Sequence, residues 1–242
     1  MNRSHLFFII CLAIFDNSVF GQFADFSIPD TVCANEDISI QNLSTGGSTF
    51  YWNFCSGNLA TSPIGVNLGN TGNLNGPVYS AIAWDGDNYF VFITNVNNGT
   101  LTRLSFGHDL TSTPVATNLG TLGHLEKNIE GITITKDSAT GNWFGMVAGG
   151  ENRHLLRLSF GNNLNNTPVA ANLGNISGMM SYTHTIYTFS EGGNWYSLVG
   201  NSDLNTIIRL NFGSSLANIP TATDLGNIGN LDEPVGFYPI QD

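Results

Sequence analysis

Residues 105–121 read SFGHDLTSTPVATNLGT, and close copies of this stretch occupy residues 53–70, 159–175 and 211–227. The Phe near the start of each copy recurs 52, 54 and 52 residues apart, at Phe54, Phe106, Phe160 and Phe212. After it come a Leu, a Pro four residues later, and a Leu-Gly pair five and six residues after that Pro. A fixed period of this length predicts one supersecondary unit stacked on copies of itself.

Each repeat divides into four short β-strand candidates. In the middle repeat they are GITIT (131–135), NWFGMVA (142–148), HLLRLSF (154–160) and PVAANLG (168–174). The intervening residues are rich in Gly, Asn and Asp, which suit tight hairpins, and no segment keeps a helical period. Four strands per unit at a period of about fifty residues are typical of a β-propeller blade.

The predicted fold class is therefore all-β, with β-propeller-type blades of four antiparallel strands at about 78–119, 130–173 and 183–225. A β-solenoid is the alternative, although its coils have shorter periods and fewer hairpins. The propeller repeats run over residues 50–242, and we expect them to be incomplete at both ends because a closing blade would lack its second strand. We therefore expect a fragment of a longer product, or a ring that needs partners.

The third strand of each repeat alternates between apolar and basic positions. Because side chains alternate between the two faces of a strand, Arg103, Arg157 and Arg209 lie opposite the apolar face. We expect their aliphatic stems to pack between blades and their heads to pair with acidic residues near the rim.

The first 21 residues have the features of an export signal. Arg3 is followed by the apolar run LFFIICLAIF, and small residues precede Gln22. No later segment is long and apolar enough to span a bilayer, so we expect a secreted or outer-surface protein. Two cysteines, Cys33 and Cys55, remain after the signal, and we expect a disulfide in an oxidising compartment, with two unpaired thiols as the alternative.

The charge of the chain restricts its partners. The formal net charge is −11, and charged residues make up only 10% of the chain. An acidic surface with so few cations argues against binding to nucleic acid or to an anionic membrane. A glycan or a protein at the cell surface is the expected partner.

Residues 22–55 have a different sequence pattern from the repeats. The stretch ADFSIPDTVCANEDISIQNLSTGGSTFYWNF (24–54) resembles the opening half of a PKD-type immunoglobulin-like module, and the second half of that module is missing. The combination with propeller repeats resembles exported surface proteins of the Bacteroidetes type, in which such modules precede a type IX secretion sorting domain. The resemblance implies a surface protein that serves adhesion or recognition.

The sequence shows no pattern that identifies a catalytic centre. No histidines or cysteines have metal-ligand spacing, and neither a nucleophile elbow nor a phosphate-binding loop is present. We therefore predict a non-enzymatic recognition or adhesion scaffold. A propeller enzyme, such as a glycosidase or lyase with part of its catalytic groups in further blades, is the alternative, and a passive spacer is another.

The loops that join blades, and those that join second and third strands, gather at one face of a propeller. They contribute a predicted ligand-binding set rich in acids and amides: His124, Glu126, Glu130, Glu151, Asn152, Asn201, Asp203, Asp232 and Glu233. Such groups bind sugar hydroxyls or attract cations, although solvated loops have the same composition. Separately, Asp85 and Asp87 resemble part of a calcium loop, but a plain hairpin turn is favoured.

Overall fold

The structure is a computed structural model that describes residues 25–27, 39–45 and 64–237. The chain forms two compact units, Met1–Gly65 and Val66–Asp242. In the first unit, strand β1 (Phe26–Ser27) pairs antiparallel with β2 (Gln41–Asn42). The export signal, Cys33, Cys55 and most of the PKD-like stretch lie outside the described residues, so those calls stay predictions.

The second unit contains three four-stranded antiparallel sheets, which are blades A, B and C. Blade A consists of β3 (Pro77–Trp84), β4 (Tyr89–Asn95), β5 (Thr100–Gly107) and β6 (Val115–Gly120). Blade B consists of β7 (Ile132–Lys136), β8 (Trp143–Ala148), β9 (Leu155–Gly161) and β10 (Val169–Gly174). Blade C consists of β11 (Thr183–Glu191), β12 (Asn194–Asn201), β13 (Thr206–Gly213) and β14 (Thr221–Asp224).

Within each blade the strands pair in chain order, as a simple meander. In the described ranges, the helical elements are two three-residue 3₁₀ turns, Ile176–Gly178 and Ser202–Leu204. This confirms the prediction of an all-β fold built from propeller-type blades. The first strands of the blades, β3, β7 and β11, contact one another in turn, so they are the inner strands of the array.

Apolar side chains fill the spaces between adjacent blades. Between blades A and B, the rings of Phe92 and Phe160 meet edge to face with centroids 5.0 Å apart. Between blades B and C, the corresponding cluster includes Met146 and Phe212, both buried. Because each blade is only one sheet thick, this packing replaces the hydrophobic core that no single blade could form alone.

Two arginines of the third strands, Arg103 and Arg157, donate to backbone carbonyls, so the expectation that their heads pair with acids is wrong for these two. Arg103 donates through Nη1 to the carbonyl oxygens of Leu164 (2.8 Å) and Asn166 (3.2 Å) in blade B. Arg157 makes the equivalent contact with the loop between β13 and β14 of blade C. The turn in each of these loops directs several carbonyls toward one point, which satisfies a guanidinium without a carboxylate.

Candidate functional site

The candidate site lies at the end of the blades where the inner strands begin, which we call the upper face. The turns between second and third strands lie at the same end, because the second strand pairs antiparallel with both the inner strand and the third strand. An isolated bridge between Gly150 and Thr183 joins the β8–β9 turn of blade B to the start of β11 in blade C. The two blades therefore meet closely at this face.

Glu130 occupies a buried position two residues before strand β7 begins. Its backbone N–H donates to the carbonyl of Ala148 (2.9 Å), and its own carbonyl accepts from the hydroxyl of Thr94 (2.8 Å). Its side chain points to blade C, where Oε2 lies 3.5 Å from Nδ1 of His184. Gly131 permits this approach, because a Cβ there would lie only 2.7 Å from the carbonyl oxygen of His184.

The surroundings of Glu130 favour its protonated form. Burial raises the pKa of this carboxyl, His184 opposes that rise through its charge and a hydrogen bond, and the charge of Glu151 adds a smaller rise, so that the pKa is raised overall. Tyr79, at the start of the inner strand of blade A, also has a raised pKa, through burial and the charge of Glu130. The inner end of the site is thus a carboxyl that retains its proton to higher pH than usual.

Near this carboxyl lies an open cleft of about 490 Å³ lined by Glu151, Arg153, Tyr182 and Asp203. Tyr182 connects the cleft to the buried pair, since its ring meets that of His184 edge to face at 4.4 Å between centroids. The pKa of Tyr182 is raised by burial and by the charges of three acids, namely Glu130, Glu151 and Asp203. Among the described lining residues, the cleft therefore combines two acids with a cation and an aromatic ring.

The two acids of the cleft are held by neighbouring polar groups. Glu151 accepts a hydrogen bond of 2.6 Å from Nδ2 of Asn128. Asp203 accepts one of 3.1 Å from the hydroxyl of Ser181. Both side chains remain exposed to solvent, so they are available to a ligand while their orientation is restricted.

The structure thus brings three of the predicted residues, Glu130, Glu151 and Asp203, into one electrostatic group. Two others support the loops: Asn152 donates to the carbonyl of Lys127 (2.7 Å), and the buried Asn201 accepts from the N–H of Ser181 (2.7 Å).

The remaining four predicted residues lie in the segments that follow blade A and blade C. His124 is an exposed residue of the turn that joins blades A and B, and Glu126 is close enough to raise the pKa of His154. Burial outweighs that effect, so the pKa of His154 is lowered overall. Glu233 donates its N–H to Asn205 beside the β12–β13 turn, with Asp232 next to it.

Sequence reasoning missed Arg153, Tyr182 and His184. Arg153 is in the same β8–β9 turn as the predicted Glu151, and it lines the cleft with it. Tyr182 and His184 flank the first residue of the inner strand β11. The prediction considered loops, whereas these side chains reach the site from the strand itself and the residue before it.

Asp85 and Asp87 form a hairpin turn. Oδ1 of Asp85 accepts the backbone N–H groups of Asp87 (2.9 Å) and Asn88 (2.8 Å), as expected for a side chain that closes a turn. Within the described part of the chain, no group of three or more His, Cys, Asp or Glu side chains is arranged to hold a metal ion. The calcium interpretation remains an untested alternative.

No protein-family model matches the chain, and no curated protein matches it. Among solved structures, a GH43 β-1,3-galactosidase is similar over 63% of this chain and 35% of that chain, with a TM-score of 0.46 and 11% sequence identity. The matched part of this chain thus spans about a third of that enzyme. In the described ranges, no helix has the length and apolar character needed to cross a membrane.

The prediction that the chain is not an enzyme is contradicted by this finding, because the matched structure is a β-1,3-galactosidase. A non-enzymatic role is therefore not retained. The likeness is too distant to assign an activity, and the arguments for function below rest on the residues of the upper face.

Proposed function

We propose that the upper face is a site for cleavage of glycosidic bonds, with Glu130 as the proton donor. The observation that carries this proposal is a buried carboxyl of raised pKa placed next to an open cleft that holds further acids. Glycoside hydrolysis commonly needs one protonated carboxyl for the leaving oxygen and a second, ionised carboxylate. Glu130 is the buried carboxyl in this pair, and Glu151 is the exposed carboxyl that lines the cleft beside it.

Each residue has a defined role in this reaction. Glu130 transfers its proton to the glycosidic oxygen as the bond to the anomeric carbon breaks, and His184 stabilises the carboxylate that forms. Glu151 removes a proton from the attacking water, so the products are two free sugars. Arg153 and Tyr182 donate hydrogen bonds to sugar hydroxyls, and the Tyr182 ring provides an apolar contact.

The proposed setting is extracellular. The apolar N-terminal stretch and the resemblance to exported surface proteins support this, and the acidic composition suits a neutral glycan partner. We propose a surface-exposed or secreted protein that binds glycans at the upper face and cleaves them there.

Turnover of a panel of glycans and aryl glycosides tests the proposal. Glu130→Gln is expected to lower kcat/KM by about 100-fold or more while leaving glycan binding intact, because proton transfer is lost and shape is kept. It is also expected to remove the alkaline limb of the pH–rate profile. Glu191→Gln is the matched control, because Glu191 is exposed at the opposite end of β11.

Two results would overturn the proposal. One is a wild-type protein that binds glycans on an array without releasing any product. The other is a Glu130→Gln variant that keeps the wild-type rate and pH profile, which would show that a different group supplies the proton.

A further inference from the structure

The turn between the second and third strands ends in the same backbone conformation in all three blades. Its last residue has a positive φ each time, 65° at Gly99, 57° at Arg153 and 55° at Asn205. Glycine and asparagine adopt this left-handed conformation readily, whereas a long side chain such as that of arginine adopts it at a cost in backbone energy. Blade B therefore carries an unfavourable residue type at a position where the other two blades carry favourable ones.

In blades A and C, local packing explains the residue at this position. A Cβ at Gly99 would lie 2.3 Å from the carbonyl carbon of Glu126, so the glycine makes room for the segment that follows blade A. Oδ1 of Asn205 accepts the N–H of Glu233 (2.8 Å), so the asparagine holds the segment that follows blade C. Arg153 has no such role, because no described group accepts a hydrogen bond or an ion pair from its guanidinium.

Arg153 differs from its two counterparts in lining the cleft of the upper face, where its side chain is exposed. The carboxylates that line the same cleft, Glu151 and Asp203, are already held by the neutral donors Asn128 and Ser181, and neither is paired with Arg153. Among the described lining residues, two carboxylates thus stand beside one guanidinium whose donors are all available to a ligand.

We propose that Arg153 is a substrate-binding residue that selects neutral sugars with two adjacent free hydroxyl groups, and this rests on the glycan-cleaving function proposed above. A planar guanidinium presents parallel N–H donors, which fit two neighbouring oxygen acceptors. The carboxylates of Glu151 and Asp203 outnumber the guanidinium, so a sugar that carries an acid group is repelled. The left-handed backbone at Arg153 fits this role, since strained conformations are kept at binding sites where the side chain is needed.

Replacing Arg153 by the residue that blade C uses tests whether stability is sacrificed at this position. Arg153→Asn is expected to raise the melting temperature by about 2 °C or more, because asparagine relieves the left-handed strain. Arg153→Lys is the matched control, since lysine keeps the positive charge and the strained backbone but lacks the planar fork. Its melting temperature should stay within about 1 °C of that of wild type.

Calorimetric titration of the full chain tests the ligand. The probes are p-nitrophenyl glucoside, galactoside and mannoside, their monodeoxy forms, and the glucuronide, all measured in the Glu130→Gln background so that no sugar is consumed. Arg153→Asn and Arg153→Lys should each bind the best neutral sugar about tenfold more weakly, as expected for loss of hydrogen bonds to a charged group.

The monodeoxy sugars separate a direct contact from a structural effect. With Arg153 present, removal of one of the two bound hydroxyls should weaken binding about tenfold, whereas in Arg153→Asn the same removal should change binding by less than about twofold. The glucuronide should bind at least about tenfold more weakly than the glucoside, because of its like charge to the cleft.

Four outcomes overturn the inference: no binding of any of these sugars, unchanged binding in Arg153→Asn, a lowered melting temperature of that variant, or a glucuronide that binds as tightly as the glucoside. Failure of the proposed cleavage gives a different result. Wild type that binds the sugars with the expected discrimination but releases no p-nitrophenol overturns the cleavage and supports the role of Arg153 in binding.

Discussion

Replacing Arg157 by alanine tests how the blades are held together. The side chain extends from β9 of blade B, and its Nη1 approaches three backbone carbonyls of blade C, those of Leu216, Ala217 and Asn218. Arg209→Ala is the internal control, because Arg209 occupies the same register position but is exposed. Comparison of the two variants isolates the contact from the effect of removing an arginine from this strand position.

The expected loss follows from the number of bonds and from the cost of burying the charge. One nitrogen with two hydrogens makes at most two good bonds, and each bond to a charged group contributes about 1.5–3 kcal/mol. Folding also removes water from the guanidinium: its pKa is lowered by burial, and its Nε–H is buried without an acceptor. That desolvation offsets part of the gain, so we expect Arg157→Ala to cost about 2–3 kcal/mol.

Urea unfolding followed by tryptophan fluorescence measures the difference. Arg209→Ala should change the free energy of unfolding by less than about 0.5 kcal/mol, as for an ordinary surface substitution. Equal losses for the two variants would refute the reasoning, because the carbonyl contacts of Arg157 would then contribute nothing.

Three other predictions concern stability and are checked by the same urea titrations. The pKa of Glu130 is raised on folding, so wild type should lose stability as the pH rises from about 4.5 through the raised pKa; Glu130→Gln should flatten that loss. The pKa of His154 is lowered by burial, so wild type should lose stability as the pH falls below about 6.5, and His154→Gln should reduce that loss; an unchanged slope would contradict the assignment. Gly99→Ala should cost about 3 kcal/mol or more, because its Cβ would lie 2.3 Å from the carbonyl carbon of Glu126, whereas Gly141→Ala, also at positive φ but in open space, should cost about 1 kcal/mol; similar costs would contradict the steric argument.

Much of the fold could be predicted because each repeat carries the same strand and turn patterns. Blade B was expected at about 130–173 and its strands run from Ile132 to Gly174, since apolar alternation marks the strands and Gly-rich turns mark their ends. The partner of Arg103 could not be predicted in this way. Its acceptors are backbone carbonyls that any residue type supplies, so no side chain in the sequence identifies them.

The residues of the site were harder to predict for a different reason, which the pair Glu130 and His184 illustrates. Each stands two residues before an equivalent inner-strand isoleucine, Ile132 and Ile186, which pair with Val147 and Val199 in the same register. The two are therefore the same position of successive repeats, 54 residues apart, and they meet because neighbouring inner strands lie side by side. A search for chemistry at short spacings cannot detect such a pair.

The period that predicts the blades is also the spacing at which side chains converge. Where a repeat position must only build the fold, successive copies keep the same residue type, as Arg103, Arg157 and Arg209 do. At the position of Glu130 and His184 the copies differ, one acidic and one basic, and the position lies beside a cleft. A difference in residue type at equivalent inner-strand positions thus separates the residues proposed for chemistry from those that stabilise the fold. It is also a physical reason to test Glu130 before any exposed acidic residue of the loops.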